Sequence, residues 1–263
     1  MRAMVTGASS GIGRAIASEL ADRGWALVLV GRRRDALAET AHAIARPHDG
    51  EHELLEADLG AAAGIVAAAA RAGDDAAPID LLVHSAGVGL PPGGYLGNPL
   101  AASEAVNRVT VDAITALTHA ALPGMLARDR GGVLVVSSIA GFLPGTPAIT
   151  YSASKAWATA FGEGLHELTR RTGVTSTVVA PGFVRSGFHA SAGLGADGIH
   201  DIAWSTPERV ARAAVRGVLR GRALVVPGAL WSAVFAVVRI VPRSWSRAAF
   251  AAYLRWTSER SGR

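Results

Sequence analysis

The chain has no cysteine, which excludes disulfides and thiolate metal sites and fits a reducing compartment. It also lacks a linker-like run, an internal repeat at a solenoid period and any low-complexity tract beyond the alanine-rich Ala61 to Ala72, which reads as a helix. Its 263 residues are therefore expected to form a single domain with a substantial core. No metal site is expected. Long apolar runs are scarce. The stretch from Gly228 to Val241 is nearly continuous, but it falls short of the roughly 18 apolar residues a bilayer-spanning helix needs, and Arg239 interrupts it. A first strand that starts almost at Met1 leaves no room for a signal peptide, so the cytoplasm is the expected location. The net charge of +5 comes with no nucleic-acid recognition motif. It is mostly arginine scattered among helices, with a cluster at Arg32, Arg33 and Arg34 and a basic C-terminal end, so nucleic acid is not expected as a partner.

What is present is an alternation of strand and helix. Ala3 to Val5, Ala26 to Val30, Leu54 to Ala57, Ile79 to Val83, Val133 to Val136, Thr175 to Val179 and Ala223 to Val226 read as short apolar strands. Between them lie helical patterns near 12–22, 35–45, 61–72, 101–121, 151–171 and 207–219. Strictly alternating elements of this kind build a parallel sheet covered by helices on both faces, with ligands bound beyond the carboxyl ends of the strands.

Tyr151 and Lys155 are spaced i, i+4, so a shared helix puts the ammonium beneath the phenol, and Ser138 lies 13 residues upstream at the end of an apolar run. This is a proton-donor device. A free phenol titrates near pH 10, and bringing it to near 7 requires about 4 kcal/mol of differential stabilisation of the phenolate, part of which one nearby cation supplies. The seryl hydroxyl can hold the same substrate oxygen and polarise a carbonyl. At the N-terminus, Thr6-Gly-Ala-Ser-Ser-Gly-Ile-Gly13 stands between a strand and a helix. Gly7, Gly11 and Gly13 there allow a tight turn, close approach to a pyrophosphate and packing of helix on strand.

Together these motifs resemble the short-chain dehydrogenase/reductase family across essentially the whole chain. The marks fall in the family's order: the Thr6 to Gly13 turn, Asp58, Ser85-Ala86-Gly87, Ser138, Tyr151, Lys155 and Pro181-Gly182. The resemblance implies an α/β Rossmann-type fold: a doubly wound, mostly seven-stranded parallel sheet in residues 1–228, with 229–263 as an apolar and basic helical extension. It further implies a homo-oligomer, a small-molecule carbonyl or alcohol substrate, and a nicotinamide cofactor. That cofactor would be held by Gly7, Ser9, Ser10, Gly11, Ile12, Gly13, Arg14, Asp58, Leu59, Ser85, Ala86, Gly87, Tyr151, Lys155, Pro181, Gly182, Val184 and Ser186. Family members that prefer NAD place an acid at the position of Gly31; here Arg32 and Arg33 follow instead, so guanidinium groups can engage the 2'-phosphate of NADP(H). Asp58 matches an adenine contact, and a plain helix start would look the same.

Three positions depart from the family pattern. Ser85 replaces an asparagine, Ser186 replaces a threonine and keeps its hydroxyl, and Thr110 stands where an asparagine completes a water-linked proton relay. Thr110 or Asn107, one turn earlier, is left to hold the relay water. The expected activity is NADPH-dependent reduction of a lipophilic ketone or aldehyde; the alternative is a dehydratase, cyclase or isomerase on the same scaffold. Phe142, Leu143, Phe183, Phe188 and Trp204 are the expected substrate wall, with a lid near 186–206 and a second glycine-rich wall at Leu90 to Pro99. His189 and His200 read as solvated lid residues. The C-terminal segment, with Trp245, Phe250, Tyr253 and Trp256 among arginines, admits two readings: a cap over the pocket or an oligomer contact, and a peripheral membrane surface.

Overall fold

The computed structural model describes residues 1–46, 51–143, 148–186 and 200–242, together with Ser244, Trp245, Ala248 and Ala252. Among the described residues the strands are β1 Arg2–Thr6, β2 Ala26–Gly31, β3 Glu53–Glu56, β4 Leu81–His84, β5 Gly131–Val136, β6 Val174–Val179, β7 Phe183–Val184, β8 Trp204–Ser205 and β9 Leu224–Val225. Seven of them make one wholly parallel sheet in the order β3-β2-β1-β4-β5-β6-β9. The helices are α1 Gly11–Ala21, α2 Arg34–Ala43, α3 Ala62–Ala72, α4 Leu100–Asn107, α5 Ala113–Ala127, α6 Ile149–Thr169, α7 Pro207–Leu219 and α8 Ala229–Ile240.

The period-2 alternation of strand side chains decides which helix lies on which face. Ala3, Val5, Leu27, Leu29, Leu81, Val83, Leu134 and Val136 point to one side, where α1 and α7 bury Ile16, Leu20, Val210 and Val215 against them. Met4, Val28, Val30, Leu82, Val133, Val135 and Val178 point to the other, under Ala68 of α3, Ile114, Leu117 and Met125 of α5, and Leu165 of α6. Both faces of the strands are therefore apolar, as a central parallel sheet requires. The strand order reverses between β1 and β4, and the crevice at their carboxyl ends is where the cofactor turn sits.

The helix expected over 101–121 is longer and irregular. It runs from Leu100 to Ala127, with a π-helical turn at Arg108–Asp112 between α4 and α5. That length of apolar helix matches a bilayer span by composition, yet Val106, Val109, Ala113, Leu117 and Ala121 are buried in the core. The extra residue in the π turn shifts the helical phase at Thr110, which is buried at 1% exposure, whereas Asn107 is exposed. Sequence spacing also missed β7 and β8, two residues each, which pair in parallel beside the main sheet.

Candidate active site

The crevice is closed by backbone on backbone. A Cβ on Gly7, whose φ is +67°, would lie 2.8 Å from the Cα of Ala86, and one on Gly13 would lie 2.2 Å from the carbonyl oxygen of Gly7. No side chain fits either place. Thr6 ties the two crevice walls together: its Oγ1 donates to the Val83 carbonyl (3.2 Å) and accepts from the N–H groups of Ser85 (3.0 Å) and Ala86 (3.1 Å). Ser10 begins α1 without a side-chain capping bond, so the first-turn N–H groups face the glycine turn. Across the turn, a Cβ on Gly11 would sit 3.4 Å from Ser186 Cβ, and one on Gly31 would sit 3.6 Å from Ser9 Oγ. The end of β2 is thus beside the turn, with no carboxylate at Gly31. Arg14, Arg32 and Arg33 are exposed there, without an ion pair among the described residues. A glycine cradle, a helix N-terminus and unpaired guanidinium groups fit a dinucleotide bearing an additional phosphate. Asp58 is exposed and its Oδ1 accepts from Gly60 N (2.9 Å), shaping the turn into α3, while Leu59 is buried.

Ser138, Tyr151 and Lys155 converge at the ends of β5 and α6. Ser138 starts a 3-10 turn, Ile139–Gly141, and its hydroxyl accepts from Ala140 N at 3.1 Å. A seryl oxygen used this way keeps its own proton to donate. That hydroxyl also hydrogen-bonds the side chain of Tyr151. Lys155 is one helical turn further on, 5% exposed, with Nζ 2.9 Å from the Val136 carbonyl, 5.8 Å from the Tyr151 ring centre and 3.6 Å from where a Cβ on Gly87 would stand. Electrostatics corrects one expectation. Burial pushes the Tyr151 phenol up to about 12, outweighing the Ser138 hydrogen bond that lowers it, and burial pushes Lys155 down to about 8. The phenol is not depressed here because desolvation dominates and the ammonium points at a backbone carbonyl.

Thr110 Oγ1 and Ser85 Oγ are buried without a hydrogen-bond partner. Two orphaned hydroxyls in the core are costly unless something polar reaches them. Two of the three positions that depart from the family pattern, Ser85 and Thr110, are thus among the buried groups left unsatisfied, together with Arg71 Nη2 and Arg128 Nε. Asn107, being exposed, is not placed to share the role.

A family model described as short chain dehydrogenase matches residues 1–196. The chain belongs to the short-chain dehydrogenase family. Among curated relatives, it is 34% identical over 69% of its length to the very-long-chain 3-oxoacyl-CoA reductase of Anas platyrhynchos, and the match spans 59% of that protein. It is 31% identical to the ketoacyl reductase HetN of Nostoc sp. (strain PCC 7120), covering 82% of this chain and 74% of that one. Among solved structures, a short-chain dehydrogenase from Sphingobium yanoikuyae in complex with NADPH superposes with a TM-score of 0.80 at 27% identity, covering 90% of this chain and 92% of that one. The family is one of oxidoreductases that use nicotinamide cofactors.

Several residues that shape this short-chain dehydrogenase site carry no motif. Ser137 Oγ bonds the Lys155 carbonyl (2.8 Å) and Thr159 Oγ1 (2.7 Å), clamping α6 onto β5. Gly141 lets the Ser138 turn approach α6, since a Cβ there would sit 2.8 Å from Ala156 N. Ser103 Oγ meets Thr150 Oγ1 at 2.9 Å and ties α4 to the residue before Tyr151. His84 is buried against Thr118 Oγ1 (2.9 Å) and pushed down to about 3 by burial, so it is a neutral strut. Of the residues expected to form the substrate wall, Phe183 packs on Trp204 (5.6 Å between ring centres) and also on Trp231 of α8 (5.5 Å), and Phe142 packs edge-on against Phe235 of α8 (4.8 Å). Leu143 is buried beside Phe142; Phe188 and His189 lie outside the described residues. Exposed His200 caps the turn Asp201–Ala203 rather than facing the phenol.

One compositional signal was overlooked. Lys155 is the only lysine in the chain; every other one of the 26 basic side chains is arginine. A guanidinium does not lose its proton in proteins, whereas an ammonium titrates when buried, so a chain built on arginine uses lysine where a titratable cation is needed.

Proposed function

We propose that the chain is an NADP(H)-dependent reductase of a lipophilic ketone or aldehyde, with Tyr151 as proton donor. The observation that carries this reading is the Ser138–Tyr151 hydrogen bond with the sole lysine one turn below it, at the edge of a crevice shaped for a dinucleotide. Bound nicotinamide supplies the hydride. Ser138, its oxygen already accepting from Ala140 N, donates to the substrate oxygen and holds it beside the phenol. As negative charge develops on that oxygen, the Tyr151 proton moves to it, giving the alcohol and a phenolate. The Lys155 ammonium, 5.8 Å from the Tyr151 ring centre, then favours the phenolate as it forms. Thr110, with an unsatisfied hydroxyl, holds the water through which the proton is replaced.

The cofactor preference rests on Gly31, beside Ser9, having no carboxylate and on exposed Arg32 following it, and the NADPH bound to the Sphingobium dehydrogenase supports it. Residues 1–228 form the nucleotide and active-site domain, and the start of α8 at Ala229 supports a boundary there. The test is a panel of ketones and aldehydes followed by NADPH oxidation at 340 nm, repeated with NADH. Arg32→Ala should weaken NADPH tenfold or more and leave NADH nearly unchanged, as expected for loss of one charge-assisted contact. An NADH preference in the unaltered protein would overturn the cofactor assignment. A product of unchanged oxidation state, with NADPH bound but unconsumed, would replace the reductase reading with the non-redox one.

A further inference from the structure

α8 is apolar except for exposed Ser232 and Arg239, yet it lies on the surface. One face, Trp231, Val234, Phe235 and Val238, is half-buried, with Trp231 and Phe235 resting on Phe183 and Phe142 at the site's edge. The other face, Leu230, Ala233, Ala236, Val237 and Ile240, is exposed, Val237 at 58% and Ile240 at 84%. Not one of its residues is fully buried. An exposed helix face made of leucine, valine, isoleucine and alanine points to a second apolar partner. Twelve residues give a rod of about 18 Å, too short to cross a bilayer core of roughly 30 Å, so the helix can lie in a membrane surface but not span it.

Charge identifies the partner. The entire net charge of +5 resides in residues 229–263, which hold six arginines and one glutamate, while the rest of the chain is balanced. Trp245, 70% exposed, Phe250, Tyr253 and Trp256 are interspersed with those arginines. Arginine and tryptophan beside an apolar helix face are the composition of an interfacial anchor on anionic lipid. A second copy of the chain would bring its own cationic segment to the same face and repel it. Further exposed apolar side chains, Leu96, Leu100, Ile149 and Ile202, belong to segments at the carboxyl edge of the sheet, the edge on which the site opens.

We propose that the outer face of α8 docks this enzyme on an anionic bilayer surface, drawn there by the net positive charge of residues 229–263, with the active-site edge toward the lipid. For the reductase reading, on which this consequence alone rests, the substrate is then a carbonyl compound that partitions into the bilayer and reaches the site past Trp231 and Phe235.

The test is flotation of the purified full chain with vesicles of phosphatidylcholine alone and of phosphatidylcholine with about a third phosphatidylglycerol. Wild type should float with the anionic vesicles, at least tenfold less with neutral ones, and be released by high salt. Val237→Glu combined with Ile240→Glu should reduce flotation at least tenfold while retaining the rise in thermal midpoint that NADPH produces. Should that variant not fold, Ile240→Ser, at the most exposed position, should lose about threefold. The proposal is overturned if wild type ignores all vesicles, if the variants bind as well as wild type, or if light scattering finds a dimer that the double variant dissociates. Absence of NADPH binding with flotation intact would instead defeat the reductase reading and leave the docking standing.

Discussion

The glycine turn and the aromatic wall enclose the two ends of one site by different means. At the turn, contact is backbone against backbone: Gly7 on Ala86, Gly13 on the Gly7 carbonyl. At the wall, contact is ring against ring: Phe183 on Trp204 and Trp231, Phe142 on Phe235. A backbone contact admits one residue type and so leaves a motif in the sequence. Ring contacts are each worth roughly 0.5 to 1.5 kcal/mol beyond burial and tolerate other shapes of similar volume. On the proposed reading, chemistry common to many substrates sits at the rigid end, and substrate choice at the tolerant end.

Between the two ends stands Tyr151, the proposed proton donor, where the largest effect is expected. Tyr151→Phe keeps the ring and removes only the acid, so reduction should fall by about a thousandfold, within the range general acids contribute, with NADPH affinity held within a few-fold. Retention of more than a tenth of the rate would reject the role. The same pair sets the pH dependence. Lys155 is protonated below about 8 and Tyr151 up to about 12, so the rate should be flat up to pH 8 and decline as the ammonium is lost above it. With one lysine in the chain, nitrogen-15 lysine labelling gives a single side-chain signal whose titration midpoint should be near 8.

Gly13→Ala probes the rigid end. Its Cβ would stand 2.2 Å from the Gly7 carbonyl oxygen, so the turn must shift, and NADPH affinity should fall at least about a hundredfold by calorimetry. Wild-type affinity would show that the turn yields as easily as the wall, and the contrast between the two ends would collapse.

The same contrast explains what was legible in the sequence. All seven strands of the main sheet were readable, because alternating apolar strands and helical periods survive without knowledge of tertiary contacts. Ser138, Tyr151 and Lys155 were readable because their spacing is fixed by one strand end and one helix. The π turn was not, since one extra residue in an apolar helix leaves the period nearly unchanged. Neither was the burial that raises Tyr151, which depends on everything packed round it, nor the seating of Trp231 on Gly182, where a Cβ would stand 2.2 Å from the indole. Gly182 was read as part of a cofactor segment; its contact with Trp231 gives it a packing reason as well.

Thr110 lies at the π turn and tests whether a position without the family's asparagine still belongs to the rigid machinery. Thr110→Val keeps shape and removes the orphaned hydroxyl, so two effects oppose: folding stability should rise slightly, because an unsatisfied buried group is gone, and turnover should drop tenfold to a hundredfold if the hydroxyl holds the relay water. Thr110→Asn should equal or exceed wild type in turnover. A valine variant that is more stable and equally active would free Thr110 from the relay.

The smallest effect is expected at the tolerant end. Trp231→Phe keeps a ring against Phe183 and removes the Nε1–H that donates to the Ala203 carbonyl at 2.8 Å. Loss of one such bond costs about 1 kcal/mol, a few degrees of thermal midpoint in a chain of this size. Because the indole rests on Gly182 as well as on the wall, its replacement reports on both ends at once. If α8 shapes only the substrate's space, KM for a bulky carbonyl should change several-fold while NADPH affinity stays as it was. A tenfold loss of NADPH affinity would mean that the indole holds the Pro181-Gly182 segment against the cofactor. The tolerant wall would then be part of the rigid cradle, and α8 would be coupled to cofactor binding.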